Sequence, residues 1–502
     1  MKLRRLETQR IIELSSCRII IKDEVNIKLE GLAVETRRKI ANKLKFELPY
    51  ARHMPAFKLG RWDGTKTYFG IGGNGYLAHL DVILPIVESD GYDIEVDDYR
   101  QPHEFKFTPV TENYWADKGK TWPKGHPQAG QPIVLRDYQY EVINKFLENP
   151  QALQEVATGA GKTITTATLS AMCEPYGRTM VIVPNKSLVV QTEEDYINLG
   201  LDVGVYFGDR KEVGHTHTIC TWQSLNVLDK KDYDQDALTL AEFTEGVAAI
   251  IVDEVHQAKA DVLTKLLTQN FRNCAIRWGL TGTVPKEAWE FQGILASIGP
   301  VIGNVSAHDL QQKGVLADLH INILQTNDVR VFRSFAEENS WLVTDPDRMK
   351  WMCDKIREIS TTGNTLVLIN RIETGNIIVK ALTESTNSEV AFINGSVKLD
   401  DRKDEYDEVR TSSDKIIVAT YGVAAVGINI PRIFNLVLVE PGKSFVRVIQ
   451  SIGRGIRKAE DKDFVQIWDI TSQCKYSKRH LTERKKYYKE AKYPFTVTKV
   501  NL

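Results

Sequence analysis

The sequence predicts an α/β protein with two doubly wound parallel-sheet domains, a small N-terminal α+β domain and a short basic C-terminal tail. Two series of short apolar strands alternate with helical stretches, which is the rhythm of parallel sheets covered by helices on both faces. A glycine-rich loop lies in the first of these two regions, and the second has no such loop. The 502 residues, 42% of them hydrophobic, are sufficient for several buried cores.

The predicted domain boundaries lie where this rhythm changes. A segment rich in proline, glycine and tryptophan ends the N-terminal part, and such composition is typical of a linker. The strand rhythm lapses again between Gly303 and Ala317. The four predicted units are the N-terminal domain (1–125), the two parallel-sheet domains (126–305 and 306–470) and the tail (471–502).

The N-terminal domain contains a segment, 57–69, in which an Asp-Gly pair at 63–64 predicts a hairpin turn between two short strands. Two interpretations of this segment stay open. In one, Trp62 packs in the domain's own core. In the other, Lys58, Arg61 and Lys66 line a nucleic-acid surface that combines cations with this aromatic ring.

The glycine-rich loop, residues 156–163, has the pattern of a phosphate-binding loop. Its glycines allow backbone N–H groups to surround a triphosphate, while Lys162 reaches the β- and γ-phosphates and the Thr163 hydroxyl ligates Mg²⁺. The other loop residues predicted to contact the nucleotide are Thr158, Gly159, Ala160 and Gly161.

A second motif follows an apolar run at 247–252 that reads as a buried parallel strand. Its end would place Asp253 beside the Mg²⁺ ion and Glu254 beside the attacking water. The two motifs together predict binding and hydrolysis of a nucleoside triphosphate.

The second parallel-sheet domain is predicted to complete this site from across a cleft, since it has no phosphate loop of its own. Arg454 and Arg457 are three residues apart and therefore share one helix face. Arginines at the γ-phosphate stabilise charge during phosphoryl transfer. A solvated basic helix is the alternative, although it would not need the glycines that flank Arg454.

Charge and cysteine usage restrict the possible partners. The net charge of −1 predicts no general affinity for polyanions, so nucleic acid must bind at local patches. The tail has nine basic and two acidic residues with interleaved tyrosines, which suits either phosphate contacts or a solvated face. Six widely spaced cysteines predict reduced thiols in the cytoplasm. No segment approaches the roughly 18 apolar residues of a membrane span, so we expect no membrane association.

In this order the motifs resemble those of the superfamily 2 helicases and translocases of the DExH type, over about residues 135–470. The resemblance implies two RecA-like domains that use ATP and Mg²⁺. It further implies that Gln139 contacts adenine, that His256 couples hydrolysis to neighbouring motifs, and that Gly427 and Asn429 face the nucleotide. The implied nucleic-acid contacts are Lys186, Thr221, Trp222 and Gln223 in the first domain, and Arg371, Asn394, Gly395 and Thr420 in the second.

Within that superfamily the chain resembles the phage UvsW-like group of branch-migrating DNA helicases. The resemblance rests on the Gly-x-Trp-Asp-Gly pattern at 60–64, the lack of a large insertion between 282 and 363, and the basic tail. It implies a monomeric motor that remodels forks and four-way junctions, without sequence preference, in replication, recombination or repair. The alternatives are an RNA-acting DExH helicase, the motor subunit of a restriction complex, a switch without turnover, or an ATP-dependent clamp that does not unwind.

Overall fold

The strands form a four-stranded N-terminal sheet, two larger sheets and a two-stranded ribbon. The structure, a computed structural model, describes residues 15–124, 126, 128–231, 238–257, 260–328, 330–397, 399–424, 430 and 432–502.

The N-terminal sheet has the strand order β5-β2-β1-β6, with β1 antiparallel to β2 and parallel to β6. Cys17, Ile19 and Ile21 alternate along β1 and are buried beneath α1 and α3, as expected for a sheet with one covered face. The elements are β1 (Ser15–Ile21), β2 (Asn26–Glu30), α1 (Val34–Lys43), β3 (Lys45–Glu47), α2 (Pro55–Lys58), β4 (Thr65–Thr67), β5 (Asn74–Tyr76), α3 (Leu80–Ser89) and β6 (Tyr92–Asp98).

The hairpin predicted around residues 63–64 is wrong. Pro55 opens the short helix α2, since proline is well suited to the first helical turn, and a helix cannot pair as a strand. The ribbon partner of β4 is instead β3, with Glu47 opposite Thr65. Residues 48–64 therefore form a long excursion whose two ends meet at this ribbon.

The first large sheet has the order β10-β9-β11-β8-β12-β13-β7-β14, and all its strands except β10 are parallel. Buried apolar clusters lie on both faces. The elements of this first lobe are α4 (Asp137–Glu148), β7 (Gln151–Val156), α5 (Lys162–Cys173), β8 (Arg178–Val183), α6 (Lys186–Asn198), β9 (Val203–Phe207), β10 (Arg210–Lys211), β11 (His217–Thr221), α7 (Trp222–Lys231), α8 (Leu240–Phe243), β12 (Val247–Asp253), α9 (Ala260–Lys265), β13 (Ile276–Thr281), α10 (Ala288–Ser297) and β14 (Val301–Val305).

The second large sheet has the order β17-β18-β16-β19-β20-β15-β21 and is parallel throughout. The elements of this second lobe are α11 (Ala307–Gln312), β15 (Asp318–Thr326), α12 (Phe335–Leu342), α13 (Pro346–Ser360), β16 (Thr365–Ile369), α14 (Ile372–Ser385), β17 (Val390–Ile393), α15 (Leu399–Thr411), β18 (Ile416–Thr420), α16 (Tyr421–Ala424), β19 (Asn435–Val439), α17 (Phe445–Gly455), β20 (Phe464–Ser472), α18 (Lys475–Glu490) and β21 (Phe495–Val500). The predicted α/β class with two doubly wound parallel sheets is confirmed.

The segment predicted to be a basic tail is part of the second lobe. Its strand β21 pairs with β15 at the edge of the second sheet. Its helix α18 buries Arg484 and Tyr488 against Asp469 of β20. The net charge of the segment does not predict this arrangement. Helix α18 has an exposed basic face, and its opposite face is buried and ion-paired.

The six cysteines are buried thiols, and burial raises the pKa of Cys17 and of Cys353 to about 11. In the part of the chain that the structure describes, no helix has both the length and the hydropathy required to cross a membrane.

We predict that Arg484→Met destabilises the protein strongly. Arg484 forms two hydrogen bonds of 2.8 and 2.9 Å with Asp469, and Tyr488 donates a third to the same carboxylate at 2.8 Å. Removing one partner of a buried ion pair leaves the other charge uncompensated and costs about 3–5 kcal/mol. Urea unfolding followed by circular dichroism measures the loss. Arg479→Met, on the exposed face of α18, is the control and should leave the unfolding midpoint unchanged; equal midpoints for both variants would contradict the prediction.

Candidate nucleotide-binding and catalytic site

The loop between β7 and α5 has the backbone geometry of an anion-binding cradle. Gly159 and Gly161 adopt φ values of +90° and +80°, a region that favours glycine. A Cβ on Gly161 would lie 2.6 Å from Nε2 of Gln139. The glycines therefore let the loop turn directly into α5, whose first N–H groups point to the place where a phosphate would bind.

Gln139 holds this loop rather than projecting away from it. Its Nε2 donates to the Ala160 carbonyl oxygen at 3.0 Å, and its Oε1 accepts from the Arg136 N–H at 2.9 Å. The Tyr138 hydroxyl donates to the same Ala160 oxygen at 3.0 Å. Contact between Gln139 and adenine stays a prediction, and Tyr138 is a loop-positioning residue that the motif did not single out.

Lys162 and Glu254 form a buried ion pair at the centre of the site. The distance between Nζ and Oε1 is 2.8 Å, and the two side chains are 9% and 6% exposed. Nζ also lies 3.4 Å from the Val156 carbonyl oxygen. The Glu254 carboxylate lies where the motif's lysine would bind a phosphate group. The loop N–H groups and the Lys162 ammonium therefore fit a nucleoside triphosphate.

The topology brings the two motifs together. Strand β13 lies between β12 and β7, so the segments after all three strands meet at the carboxyl edge of one parallel sheet, where ligands bind in such folds. Glu254 has a φ of +53°, an uncommon value for a residue with a side chain, and its N–H donates to Asp253 Oδ1 at 2.9 Å. Such backbone strain clusters at functional sites.

His256 connects the end of β12 to the segment after β13. Its Nδ1 lies 2.6 Å from Thr281 Oγ1 and 3.5 Å from Glu254 Oε2. Thr281 in turn donates to the Thr283 carbonyl oxygen at 2.8 Å. The Gly282 N–H points to Glu254 Oε2 at 3.4 Å. A displacement of Glu254 would therefore alter the hydrogen bonds of residues 281–283.

The second lobe reaches the phosphate loop through α17 and the residues after it. A Cβ on Gly453 would lie 3.1 Å from Thr158 Cβ, and a Cβ on Gly159 would lie 3.8 Å from Arg457 Cγ. Glycines on both sides thus permit close approach. The side chain of Arg454 lies outside the described part of the structure, as do Gly427 and Asn429.

Two groups that sequence reasoning missed hold α17 in position. The buried Lys462 ammonium donates to the carbonyl oxygens of Gly455 and Arg457 at 2.5 and 2.8 Å, at the C-terminus of α17. Burial, together with repulsion from Arg457, lowers the pKa of Lys462 to about 7. From α18, Arg484 donates to the Gly442 carbonyl oxygen at 2.6 Å, in the loop that begins α17. Neither contact has a local sequence signal.

A cavity of about 720 Å³ lies beside the contact between the lobes. Thr158 and Gly282 line it from the first lobe, and Ile449, Gly453 and Tyr493 from the second. The lobes are therefore in contact at the phosphate loop and apart beside it. This leaves space for small rotations of one lobe relative to the other.

The predicted nucleic-acid contacts follow parallel strands in both lobes. In the first lobe they lie at the ends of the adjacent strands β8 and β11 or just after them, and in the second at the ends of the adjacent strands β16, β17 and β18 or just after them. Lys186, Gln223 and Gly395 are exposed, Trp222, Arg371 and Thr420 are partly exposed, and Thr221 and Asn394 are buried. Thr221 is bonded to Ser224 Oγ, Arg371 to Ser340 Oγ, and Asn394 to Ser396. Their contact with nucleic acid stays a prediction.

In the N-terminal part, the indole N–H of Trp62 donates to the Thr65 carbonyl oxygen at 2.9 Å, which favours a structural role within its own domain. Lys58 and Arg61 are exposed.

Comparison with known proteins agrees with this geometry. Residues 132–286 match the family of the type III restriction enzyme res subunit, and residues 347–459 match the helicase conserved C-terminal domain. The chain is 22% identical over 470 residues to the ATP-dependent DNA helicase uvsW of Enterobacteria phage T4, with 90% of each chain covered. It is 23% identical over 375 residues to the DNA 3'-5' helicase XPB of Kineococcus radiotolerans, covering 72% of this chain and 64% of the relative. A solved structure of the restriction-modification enzyme LlaBIII bound to DNA is similar in fold, with a TM-score of 0.55 and 14% identity, over 84% of this chain and 34% of that one.

We predict that Gly453→Val impairs turnover without unfolding the protein. The branched side chain would collide with Thr158 and hold the lobes apart, and a displacement of about 1 Å at a catalytic site costs roughly 100-fold in rate. Steady-state hydrolysis of a nucleoside triphosphate measures the effect, with nucleotide affinity as the control for an intact first lobe. Gly453→Ala should give a smaller loss, and full activity of the valine variant would exclude the approach described here.

Proposed function

We propose that this chain, which belongs to the superfamily 2 helicases and translocases of the DExH type, uses ATP hydrolysis to move on DNA and to remodel branched DNA. It is an ATP-dependent DNA helicase, and hence an ATP hydrolase. The observation that carries the proposal is the Lys162–Glu254 ion pair beside a contact from the second lobe. Similarity over 90% of the chain to the ATP-dependent DNA helicase uvsW supports DNA as the substrate.

Hydrolysis would begin when Lys162 exchanges the Glu254 carboxylate for the phosphates of ATP. The released carboxylate can then accept a proton from, and orient, the attacking water. Thr163 and Asp253 would hold Mg²⁺, which neutralises phosphate charge. Arg454 and Arg457 would stabilise the charge that develops on the γ-phosphate, and we propose these roles for the six residues together.

Movement of the two lobes would convert hydrolysis into stepping. His256 bonds to Thr281, so a shift of Glu254 is passed to residues 281–283. Of these, Gly282 and Thr283 line the cavity between the lobes. The proposed nucleic-acid contacts follow strands in both lobes, and each lobe can grip the strand in turn. Contacts to phosphate and sugar carry no sequence information, so we propose recognition of DNA structure. A monomer would suffice, because one chain supplies both lobes.

We predict that Lys162→Ala removes ATP turnover while fork binding stays within about twofold of wild type, because Lys162 is buried in the nucleotide site and is not one of the proposed nucleic-acid contacts. Fluorescence anisotropy with a labelled fork measures binding in parallel with phosphate release. Loss of fork binding in this variant would contradict the proposed separation of the two sites.

We predict that Glu254→Gln retains ATP binding but lowers kcat by about 100-fold or more, as expected when the group that positions the water is lost. The amide also removes the charge that Lys162 faces, so nucleotide affinity should not fall. Stopped-flow measurement of the binding of a fluorescent ATP analogue separates nucleotide affinity from turnover. A variant that turns over at the wild-type rate would exclude Glu254 as the water-orienting residue.

The proposed substrate is tested by ATP hydrolysis without nucleic acid and then with single-stranded DNA, linear duplex, a fork, a four-way junction and structured RNA. We expect the fork and the junction to stimulate hydrolysis most. Strongest stimulation by RNA would replace the DNA half of the proposal with an RNA-acting helicase. Stimulation without strand displacement would indicate a clamp.

A further inference from the structure

We infer that residues 48–64, here called the wedge loop, form an apolar wedge that enters the branch point of DNA and separates its strands. The inference rests on the proposed function, since it assigns the place where a moving motor would open a duplex. It concerns side chains, Met54, Phe57 and Leu59, that have no part in the nucleotide site.

The wedge loop is a firm projection from the N-terminal domain. Strands β3 and β4 close its base, and the Leu48 N–H donates to the Gly64 carbonyl oxygen at 2.9 Å. Within the loop, the Arg61 N–H donates to the Ala56 carbonyl oxygen at 2.9 Å. Gly64 has a φ of +78°, and a Cβ there would lie 2.8 Å from the Phe57 ring. The ring is thus seated directly on the backbone of Gly64.

This projection exposes apolar side chains next to unpaired cations. Tyr50, Met54, Phe57 and Leu59 are 38%, 43%, 36% and 65% exposed, and clusters of this kind mark interaction sites. Residues 50–62 contain Arg52, Lys58 and Arg61 but no acidic residue. Among the described residues, no carboxylate is ion-paired with any of these three cations.

Two of the neighbouring carboxylates are paired with other lysines. Asp63 lies 2.7 Å from Lys45 Nζ, and Asp261 lies 2.5 Å from Lys66 Nζ. The surface is therefore positively charged around an apolar centre. Phosphates on either side of a branch would pair with the cations, while unstacked bases would cover the apolar side chains, as proteins do when they insert apolar wedges at base steps.

The wedge loop is fixed to the first lobe near its catalytic segments. The Tyr50 ring packs edge-on against the Trp289 ring of α10 at 5.7 Å, and the Tyr68 hydroxyl donates to the Trp289 carbonyl oxygen. Lys66 pairs with Asp261 of α9, which follows His256 in the chain. A wedge attached in this way is driven forward whenever the first lobe moves along DNA.

The test is fork unwinding by the full chain carrying Leu59→Ser, and separately Phe57→Ser. We expect each to lower the unwinding rate by about tenfold, the order of one lost base-stacking contact, while fork-stimulated ATP hydrolysis stays within about twofold of wild type. Leu59 is the cleaner site, since Phe57 also packs on Gly64. Val96→Ser, at a residue 58% exposed on β6, is the matched control and should unwind normally.

A second readout reports the position of the wedge loop. A fluorescent base analogue at the branch should brighten when wild-type protein binds, and should brighten less with Leu59→Ser. If both variants unwind the fork and brighten the base analogue as the wild-type protein does, the wedge proposal is wrong. The exposed apolar surface would then be assigned to binding a protein partner. The proposed function fails differently: the wild-type chain itself would then show neither DNA-stimulated hydrolysis nor strand separation.

Discussion

The buried ion pair between Lys162 and Glu254 is the interaction on which the catalytic arrangement depends. Two charges removed from water are stable only while each has a partner of opposite sign, and both side chains are almost wholly buried. The lysine can therefore release the glutamate only to another anion. In the proposed mechanism this constraint would keep the carboxylate paired until a phosphate enters, and it would couple the arrival of ATP to the release of the group that orients the water.

Buried charges also position the second lobe, by a similar logic. Arg348 pairs with Glu440 at 2.6 Å, and burial raises the pKa of that carboxyl even beside the arginine. Glu440 precedes the loop to which Arg484 donates. Strand β19, helix α18 and the start of α17 are thereby connected through groups that cannot separate without exposing an unpaired charge. Helix α18 accordingly helps to position α17, the helix that carries Gly453.

The sequence was sufficient for the features that depend on local pattern and a topological rule. The phosphate loop and Asp253-Glu254 follow apolar strands, and strand ends of a parallel sheet share one edge, so their meeting could be predicted. Features that depend on long-range pairing could not. Arg484 and Arg479 lie in the same basic segment and cannot be distinguished by sequence. In the structure Arg484 is bonded to Asp469, whereas Arg479 is exposed. The Asp-Gly pair at 63–64 does not form a hairpin turn, because the strand that follows it, β4, pairs with residues 45–47. The residues before the pair include a helix that starts at Pro55.

The attachment of the N-terminal domain links these arguments. Glu24 accepts from Gln151 of β7, and Asn26 donates to the Thr268 carbonyl oxygen beyond α9. Further contacts join Tyr50 and Tyr68 to α10, and Lys66 to α9. These anchors lie on elements that immediately precede or follow the phosphate loop, the Glu254 segment and residues 281–283. Under the proposed mechanism, a domain anchored to the first lobe in this way would move together with that lobe, while the second lobe changes its position. The proposed division between a side that meets the duplex and a side that closes on ATP would then follow from which lobe carries the N-terminal sheet.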